Sequence, residues 1–521
     1  MRRAALVLGA ALAVACVSVA GPANLPNILL ITVDSLRADF VDLSAEGRTP
    51  HLARLARDGT AFGRAYTVTP WTAPALVSIF TGLYPPTHGV VNRDDTTPSA
   101  LPTLPRLLGA RGYTLANFGF FTEVSYYRNL GLPAQAVSGA EVIGAQALAE
   151  WLPGAREPFF AWIHQVEPHL PYGAGGYEAA RVTVPGSSGL ERAQVSATVP
   201  RAEGLSFQPE DREALRELYR RDVAELDASV GRLLDALEAA GRAGRTLVAL
   251  TADHGEELLD HGWVGHASTS GEARLSEETL RIPLLLRGPG VPAGRTVESL
   301  AQNVDVAPTL LALAGLPVPR EMQGIPLLRR KHELVFFDTT PGGHLTPEAR
   351  RGERLQGVGD GIHLHVERTG APETGEESKA PALAPALAAF RKEQVRARLR
   401  FLARFGGATR PAAERVAGLP EELDLEAPLD GAALSWQDAG GAIRLAWRGE
   451  AARTYWVEYQ AGSGLLSTKG AFPVESPSVS FGPFPRAFWN DLSRYAPFRF
   501  RVVDADGRRR SAWRSFTLRP A

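Results

Sequence analysis

Two apolar runs in the sequence each end in an acidic residue. Residues 27–34 (NILLITVD) and 246–253 (TLVALTAD) are typical of buried parallel strands whose last residue reaches the carboxyl edge of a sheet. Ligands of open α/β sheets gather at that edge, and carboxylates and imidazoles bind divalent cations. Asp34, Asp253 and the adjacent His254 are therefore candidate metal ligands. Judged alone, Asp34 is equally well interpreted as the N-cap of a following helix.

A hydroxyl group occurs at a predicted helix start. The stretch 67–90 is predicted to turn at Pro70 and to enter a helix, with Thr72 at the N-cap, Pro74 in the first turn and Gly82 just after the end. Backbone N–H groups and the helix dipole at such a start favour an anion, so a phosphate or sulfate group would be held beside this hydroxyl. Thr72 is a candidate nucleophile. For an isolated threonine, a simple N-cap is the alternative interpretation.

Histidines occur in two further segments that follow predicted strands. The loop after the strand that starts at Phe159 is predicted to hold four polar residues: His164, Glu167, His169 and Tyr172. His261 and His266 follow the strand that ends at Asp253. An imidazole can hold an oxyanion or protonate a leaving group, although a loop histidine is more often exposed and without a role.

Amphipathic helices are predicted around these segments. Apolar residues recur at helical spacing in 49–62, 101–113, 210–241 and 382–405, and the first of these helices is predicted to end near Gly59. Strands alternating with helices predict an α/β fold. Residues 173–208 lack periodicity and are rich in Gly, Ala, Ser, Val and Pro, which predicts a surface excursion at the rim of the site.

The residues around Thr72 form a longer motif, T-x-P-x-x-x-x-x-x-T-G-x-x-P-x-x-H-G. Its members are Thr72, Pro74, Thr81, Gly82, Pro85, His88 and Gly89. This order resembles the nucleophile motif of the sulfatase family, in the alkaline phosphatase superfamily. The stretches 34–39 (DSLRAD) and 253–256 (DHGE) resemble the metal-binding segments of that family. The match extends over about residues 26–406.

The resemblance implies a fold and a metal site. The fold is the alkaline-phosphatase-like sandwich of a large mixed β-sheet flanked by helices. The implied ligands of a divalent cation (Ca, Mg, Mn or Zn; one or two ions) are Asp34, Asp253 and His254, with the Thr72 oxygen bridging metal and substrate. His169 is the implied contact to the substrate oxyanion. His266 is implied to hold an oxyanion, to protonate a leaving group or, as in two-metal relatives, to bind a second cation. His261 is a further implied substrate contact.

The sequence also departs from the family pattern. Sulfatases carry Cys or Ser, converted to formylglycine, where this chain has Thr72, and the Arg that follows is missing. Ser35 replaces a second carboxylate, and His266 replaces a Lys. No lysine occurs before Lys331. The formylglycine route is closed to threonine, so the expected mechanism is that of Thr-dependent relatives, in which the threonine hydroxyl attacks the substrate.

Because few positive charges surround the site, a monoanionic group is expected: a phosphodiester, phosphonate monoester or sulfate monoester, rather than a phosphate dianion. A small-molecule or glycan ester is the expected substrate. A phosphoryl or phosphoglycerol transferase would use the same covalent step. The alternative from another class is a non-catalytic protein that binds a polyanionic glycan or protein partner. Retention of Thr72, Asp34, Asp253, His254 and His266 favours the enzyme.

Charge and composition limit the partners. The 521 residues include 57 acidic and 56 basic ones, for a net charge of −1, which excludes a global basic field for nucleic acid. Residues 1–20 have Arg2 and Arg3 before an apolar run, which predicts a signal peptide and an exported, periplasmic or extracellular protein. Cys16 follows a weak lipobox, so a lipid anchor there is the only predicted membrane contact.

The last hundred residues differ in character. From residue 423 to 521, short alternating runs such as 443–447, 455–459 and 498–502 are separated by Gly, Pro and Ser. This pattern predicts a β-sandwich similar to fibronectin type III.

Overall fold

An eight-stranded mixed sheet forms the centre of the first part of the chain. In the computed structural model of the protein, the described residues are 25–44, 46–91, 95–99, 101–119, 127, 129–133, 144–169, 172, 209–262, 264–266, 274–340, 354–369, 380–405, 423–450, 455–461, 468–474, 476–481, 486–493, 497–504 and 509–521. The predicted signal peptide with Cys16 and the 173–208 excursion lie outside these residues, so both stay predictions.

The strands of this part alternate with helices, as the sequence predicts. The strands are β1 (Asn27–Val33), β2 (Thr60–Tyr66), β3 (Thr114–Asn117), β4 (Phe159–Gln165), β5 (Thr246–Ala252), β6 (Glu257–Leu258), β7 (Val264–Gly265), β8 (Arg281–Ile282), β9 (Leu284–Arg287), β10 (Arg295–Gln302), β11 (Val335–Thr339), β12 (Arg354–Gly359) and β13 (Leu364–Thr369). The helices are α1 (Pro50–Arg57), α2 (Thr72–Thr81), α3 (Pro85–His88), α4 (Leu104–Gly109), α5 (Ala145–Trp151), α6 (Pro209–Ala239), α7 (Glu277–Leu280), α8 (Val306–Leu313) and α9 (Ala384–Phe405).

The large sheet has the strand order β10-β2-β9-β5-β1-β4-β3, with β8 paired to β2. β5, β1, β4 and β3 run parallel, whereas β9 is antiparallel to both β5 and β2. Every residue of β1, β4 and β5 is buried, which explains their continuous apolar runs. The carboxyl ends of these three strands therefore meet at one edge of the sheet.

Helices pack against this sheet around one large apolar core. α6 buries Leu226, Val230, Leu233 and Leu237 against it. α2 is apolar on all sides and buries every residue from Ala73 to Thr81, which is the pattern of a fully enclosed helix. No helix within the described ranges is long and apolar enough to cross a membrane.

Smaller sheets follow in the chain. β11, β12 and β13 form a three-stranded antiparallel sheet, and α9 confirms the helix predicted in 382–405. The C-terminal strands are β14 (Leu425–Ala427), β15 (Ala432–Leu434), β16 (Ile443–Trp447), β17 (Tyr455–Ala461), β18 (Thr468–Val474), β19 (Ser478–Phe481), β20 (Phe498–Asp504) and β21 (Arg514–Leu518), with helix α10 (Arg486–Ser493).

The C-terminal strands form two sheets, with orders β14-β16-β19 and β15-β21-β20-β17-β18. Trp447, Tyr455 and Phe500 belong to one apolar cluster that draws on both sheets. The predicted β-rich segment is present, and its assignment to the fibronectin type III class stays a prediction.

The helix predicted in 49–62, with its end near Gly59, is α1, which ends at Arg57. Two details differ from the sequence-based expectations. Thr72 is the first helical residue of α2, and Trp71 occupies the N-cap. His164 lies inside β4 and not in the loop after it. In both cases the predicted boundary lies one or two residues from the observed one.

Candidate active site

Three buried side chains converge where β1 and β5 end. One ligand atom from each of Asp34, Asp253 and His254 lies within 4.8 Å of the other two. Nε2 of His254 is 3.5 Å from Oδ1 of Asp34 and 3.5 Å from Oδ2 of Asp253. All three predicted metal ligands are thus brought together by the fold.

The sheet register places the two carboxylates side by side. Val33 of β1 pairs with Ala252 of β5, so the next residue of each strand is Asp34 or Asp253. The Asp253 N–H donates to the Val33 carbonyl at 3.0 Å, and the Asp34 N–H donates to the Gln165 carbonyl at 2.8 Å. Both strand ends are therefore fixed by backbone hydrogen bonds from neighbouring strands.

Ser35 holds both carboxylates in place. Its N–H donates to Oδ1 of Asp253 at 3.1 Å, and its hydroxyl donates to Oδ1 of Asp34 at 3.0 Å. Its φ of 61° lies in the left-handed region, which costs a non-glycine residue roughly 1–2 kcal/mol. Ser35 therefore orients both carboxylates, in a strained conformation of the kind that clusters at functional sites.

The Thr72 hydroxyl lies beside this group. Oγ1 of Thr72 is 3.3 Å from Nε2 of His254. His254 Nδ1 is 2.8 Å from the Gly255 carbonyl, to which it can only donate, so Nε2 carries the lone pair of the neutral ring. Thr72 is partly exposed, whereas the three candidate ligands are buried. The hydroxyl is thus the accessible member of the group.

Burial and mutual charge shift the pKa values of these groups. Burial opposes ionisation of Asp34, but His169, His164 and His254 outweigh it and hold its pKa well below the usual value. Burial, and then the negative charge of Asp34, raises the pKa of Asp253 well above its usual value. Burial, and then His266, lowers the pKa of His254. The ionised form of Asp34 is therefore stabilised, whereas the ionised form of Asp253 is destabilised by the charge of Asp34. The His254 imidazole is kept neutral.

His169 and His266 lie next to the candidate ligands. The ring of His266 is 4.3 Å from that of His254 and 5.1 Å from that of His169, between ring centroids. Both histidines are buried. Nδ1 of His266 is 2.9 Å from Oε1 of Glu256, and burial, then His169, lowers the pKa of His266 to about 3. Burial also raises the pKa of Glu256 to about 8.

His261 has different neighbours. Its Nδ1 is 2.9 Å from Oε1 of Glu257 and 3.8 Å from Oε2 of Glu278, and its side chain is about half exposed. Its described contacts are with these acids, and a role in substrate binding stays a prediction for this residue.

His164 is a neighbour of the site that sequence reasoning missed. Its Nε2 is 3.6 Å from Oδ2 of Asp34, and its Nδ1 is 2.8 Å from the hydroxyl of Thr32. Thr32 in turn accepts a hydrogen bond from Nε1 of Trp162 at 2.9 Å. The available signal was its position, because a histidine near the carboxyl end of a buried strand lies at the ligand edge of the sheet.

The residues present fit a divalent cation. Oδ2 of Asp253 is fully buried and, within the described part of the chain, accepts no hydrogen bond of normal geometry. A buried carboxylate oxygen without a hydrogen bond is costly, and a cation would satisfy it and relieve the repulsion between the two carboxylates. Two carboxylates with a neutral imidazole are a donor set suited to divalent cations.

Comparison with known proteins agrees with these features. The Sulfatase family model matches residues 26–316. The chain is 26% identical over 402 residues to an extracellular sulfatase SULF-1 homolog of Drosophila melanogaster, covering 66% of this chain and 35% of that protein. It is 26% identical over 397 residues to the multifunctional alkaline phosphatase superfamily protein PehA of Trinickia caryophylli, covering 58% of this chain and 76% of that protein.

A solved structure shares the fold. The phosphonate monoester hydrolase of Agrobacterium radiobacter superposes with a TM-score of 0.55 at 22% identity, over 72% of this chain and 96% of that one. The chain spans about a third of the length of the Drosophila protein and 63% of two other curated relatives. The family match spans more than half of the chain and includes the strand ends that carry Asp34 and Asp253, and we conclude that the chain belongs to the sulfatase family.

Proposed function

We propose that the protein is a metal-dependent ester hydrolase in which the Thr72 hydroxyl is the nucleophile. The observation that carries this proposal is the position of Oγ1 of Thr72, 3.3 Å from Nε2 of His254 at the accessible side of the Asp34, Asp253 and His254 group. A partly exposed hydroxyl beside buried candidate ligands is the arrangement that nucleophilic catalysis needs.

Asp34, Asp253 and His254 would hold the cation, which supplies Lewis acidity to the hydroxyl and to the substrate anion when bound. Thr72 gives its proton to solvent, and Oγ1 forms a bond to the phosphorus or sulfur atom as the ester oxygen departs and takes up a proton. Water then attacks the same atom, the bond to Oγ1 breaks, and the Thr72 hydroxyl is restored.

His169 and His266 would face the non-bridging oxygens of the substrate. Both are buried next to His254, which excludes water from their side of the group and strengthens their hydrogen bonds to an anion. Each supplies a donor in place of the arginine and lysine that the family pattern contains and this chain lacks.

The charge of the site favours a monoanion. Thr72, His169 and His266 bring no fixed positive charge, and no lysine precedes Lys331. A phosphodiester, phosphonate monoester or sulfate monoester is therefore preferred to a phosphate dianion. The Trinickia relative is described as multifunctional, which supports a broad substrate class of this kind. A small-molecule or glycan ester is proposed, and the name of the extracellular Drosophila relative supports export.

Turnover of matched substrates tests the proposal. The protein is stripped with a chelator, reloaded separately with Mn²⁺, Zn²⁺, Mg²⁺ or Ca²⁺, and assayed with aryl phosphodiester, phosphonate monoester, sulfate monoester and phosphate monoester substrates. The proposal predicts turnover only with metal and a kcat/KM for at least one monoanionic ester that exceeds that for the phosphate monoester. Preference for the phosphate dianion, or full activity without metal, would overturn it.

A further inference from the structure

Glu256 and His266 form a fully buried pair next to the proposed catalytic group. Oε1 of Glu256 is 2.9 Å from Nδ1 of His266, and both side chains have 0% exposure. Ten residues separate them in the chain. A buried carboxyl group bonded to one nitrogen of an imidazole sets the orientation of the ring and decides which nitrogen is left for other partners.

A short hairpin brings the two residues together. β6 and β7 pair antiparallel, with Glu257 opposite Gly265 and Leu258 opposite Val264. Glu256 and His266 are the residues that flank the Glu257 and Gly265 pair on the same side. The hairpin therefore fixes their separation through its backbone register, as cross-strand neighbours at its open end.

The backbone around Glu256 is held rigidly. The Gly255 and Glu256 N–H groups donate to the carbonyls of Thr279 and Glu278 at 2.9 and 3.0 Å. A Cβ at Gly255 would lie 1.9 Å from the Glu278 carbonyl oxygen, so only glycine allows this approach. Nη1 of Arg37 donates to the Glu256 carbonyl at 3.1 Å. Glu256 thus has a fixed position from which to orient a partner.

His266 needs such a partner more than a lysine would. An ammonium group presents three equivalent donors at the end of a flexible chain, whereas an imidazole has two distinct nitrogens and one productive ring orientation. The His266 ring lies between His254 and His169, so a ring flip would exchange the nitrogen available to the substrate. A substrate contact made by His266 therefore requires a group that fixes the orientation of its ring.

We propose that Glu256 is the positioning residue of His266: its carboxyl O–H donates to Nδ1, so that Nε2 carries the ring hydrogen and donates it to the substrate anion. This inference rests on the proposed function of His266 as a substrate contact. In this role Glu256 acts on the substrate through His266.

Kinetics of a double-mutant cycle test the coupling. Glu256→Ala is expected to lower kcat/KM about 10–100-fold, the usual effect of losing an outer orienting group, while Glu256→Gln, which retains a hydrogen bond to Nδ1, keeps most of the activity. In a His266→Ala background, Glu256→Ala is expected to cause no further loss. Cation affinity, measured by calorimetry with Mn²⁺ alone, should change less than about threefold. An equal loss in both backgrounds would overturn the proposal.

The ring nitrogens of His266 give a readout that is independent of turnover. In protein labelled with ¹⁵N-histidine, with the His266 signals assigned by loss in His266→Ala, the wild type should show a single tautomer. Glu256→Ala should give a mixture or the other tautomer, and Glu256→Gln should keep the original one. Glu367→Gln is the matched control, because Oε1 of Glu367 is 2.8 Å from Nε2 of His365 in the small sheet. An unchanged tautomer in Glu256→Ala would overturn the inference, whereas an inactive wild type with the expected signals would count only against the proposed function.

Discussion

Oγ1 of Thr72 lies 3.3 Å from Nε2 of His254, although 182 positions separate the two residues in the chain. The start of a buried helix and the end of a central strand meet at this point. Neither residue is unusual alone, since a threonine at a helix start and a histidine after a strand are both common. Their contact beside two buried carboxylates turns a pair of ordinary residues into a candidate nucleophile with a cation site.

Removal of one candidate ligand should abolish cation binding. Asp253→Asn leaves the shape of the site but removes a charge and its buried, unsatisfied Oδ2. Because loss of an outer partner alone costs 10–100-fold in affinity, loss of a ligand is expected to cost more than about 100-fold. Asp227→Asn is the control: Asp227 is a buried carboxylate that accepts the N–H groups of His51 and Leu52, far from the site in the sequence. Equal Mn²⁺ affinities of the two variants in calorimetry would contradict the assignment.

His164 should affect the affinity of the site for the cation without binding the substrate. Its Nε2 is 3.6 Å from Oδ2 of Asp34, and the hydroxyl of Thr32 fixes its other nitrogen. His164→Ala is therefore expected to lower cation affinity about 10–100-fold, with a similar loss of activity at limiting metal and recovery at high metal. The matched control is His332→Ala, which removes a histidine bonded to Asp305 elsewhere. If His164→Ala binds the cation as tightly as the wild type does, the proposed effect of His164 on Asp34 is contradicted.

Much of the site was predictable because it lies at strand ends. Asp34 and Asp253 end apolar runs, and a parallel sheet brings such strand ends to one edge. The sequence was therefore sufficient to predict that these two side chains lie together. His164 was given no role because the sequence analysis placed it in the loop after the strand, whereas it lies inside β4. The Glu256 and His266 pair depends on the register of a two-residue hairpin, which periodicity cannot detect in strands this short.

The helices, like the site, have features that the sequence predicts and features that it does not. α6 was predictable over its whole length because eight aliphatic residues recur on one face. The end of α1 was predictable because Gly59 interrupts the apolar pattern just after Arg57. The N-cap of α2 was placed one residue late, since Trp71 caps the helix without a side-chain hydrogen bond and leaves no sequence signal.

A buried histidine should make the protein sensitive to acid. His88 is fully buried, and burial, then the nearby charge of Arg398, lowers its pKa from 6.5 to about 3, with Arg354 adding to the effect. Below pH 6.5 the unfolded chain binds a proton that the folded chain does not, so stability falls as pH falls, by up to about 1.4 kcal/mol per pH unit until about pH 3.

His88→Gln removes this group, and its free energy of unfolding should depend less on pH between 6.5 and 3, with a lower value at neutral pH from the altered contact with Ser78. Urea unfolding at a series of pH values measures both effects. Parallel pH profiles for the wild type and His88→Gln would show that His88 is not the group responsible.

Burial should decide how much each of the two carboxylates paired with Arg37 contributes to the free energy of unfolding. Arg37 is bonded to Asp260, which is 6% exposed, and to Asp39, which is 49% exposed. Asp260→Asn leaves the buried guanidinium with less compensation and is expected to lower the free energy of unfolding by about 3–5 kcal/mol. Asp39→Asn should cost less than about 1 kcal/mol. Similar losses for the two variants in urea unfolding would contradict this account.

The most direct test of the central claim is the covalent label on Thr72. Metal-loaded protein is mixed with an aryl phosphonate monoester, or with whichever monoanionic ester is turned over fastest, and quenched in acid during turnover; the peptide that contains Thr72 is then examined by mass spectrometry. The account predicts a phosphonyl or corresponding group on Thr72, no label and at least about a 1,000-fold loss of kcat in Thr72→Ala, and partial activity in Thr72→Ser. Turnover by Thr72→Ala at the wild-type rate, or a label on another residue, would contradict it.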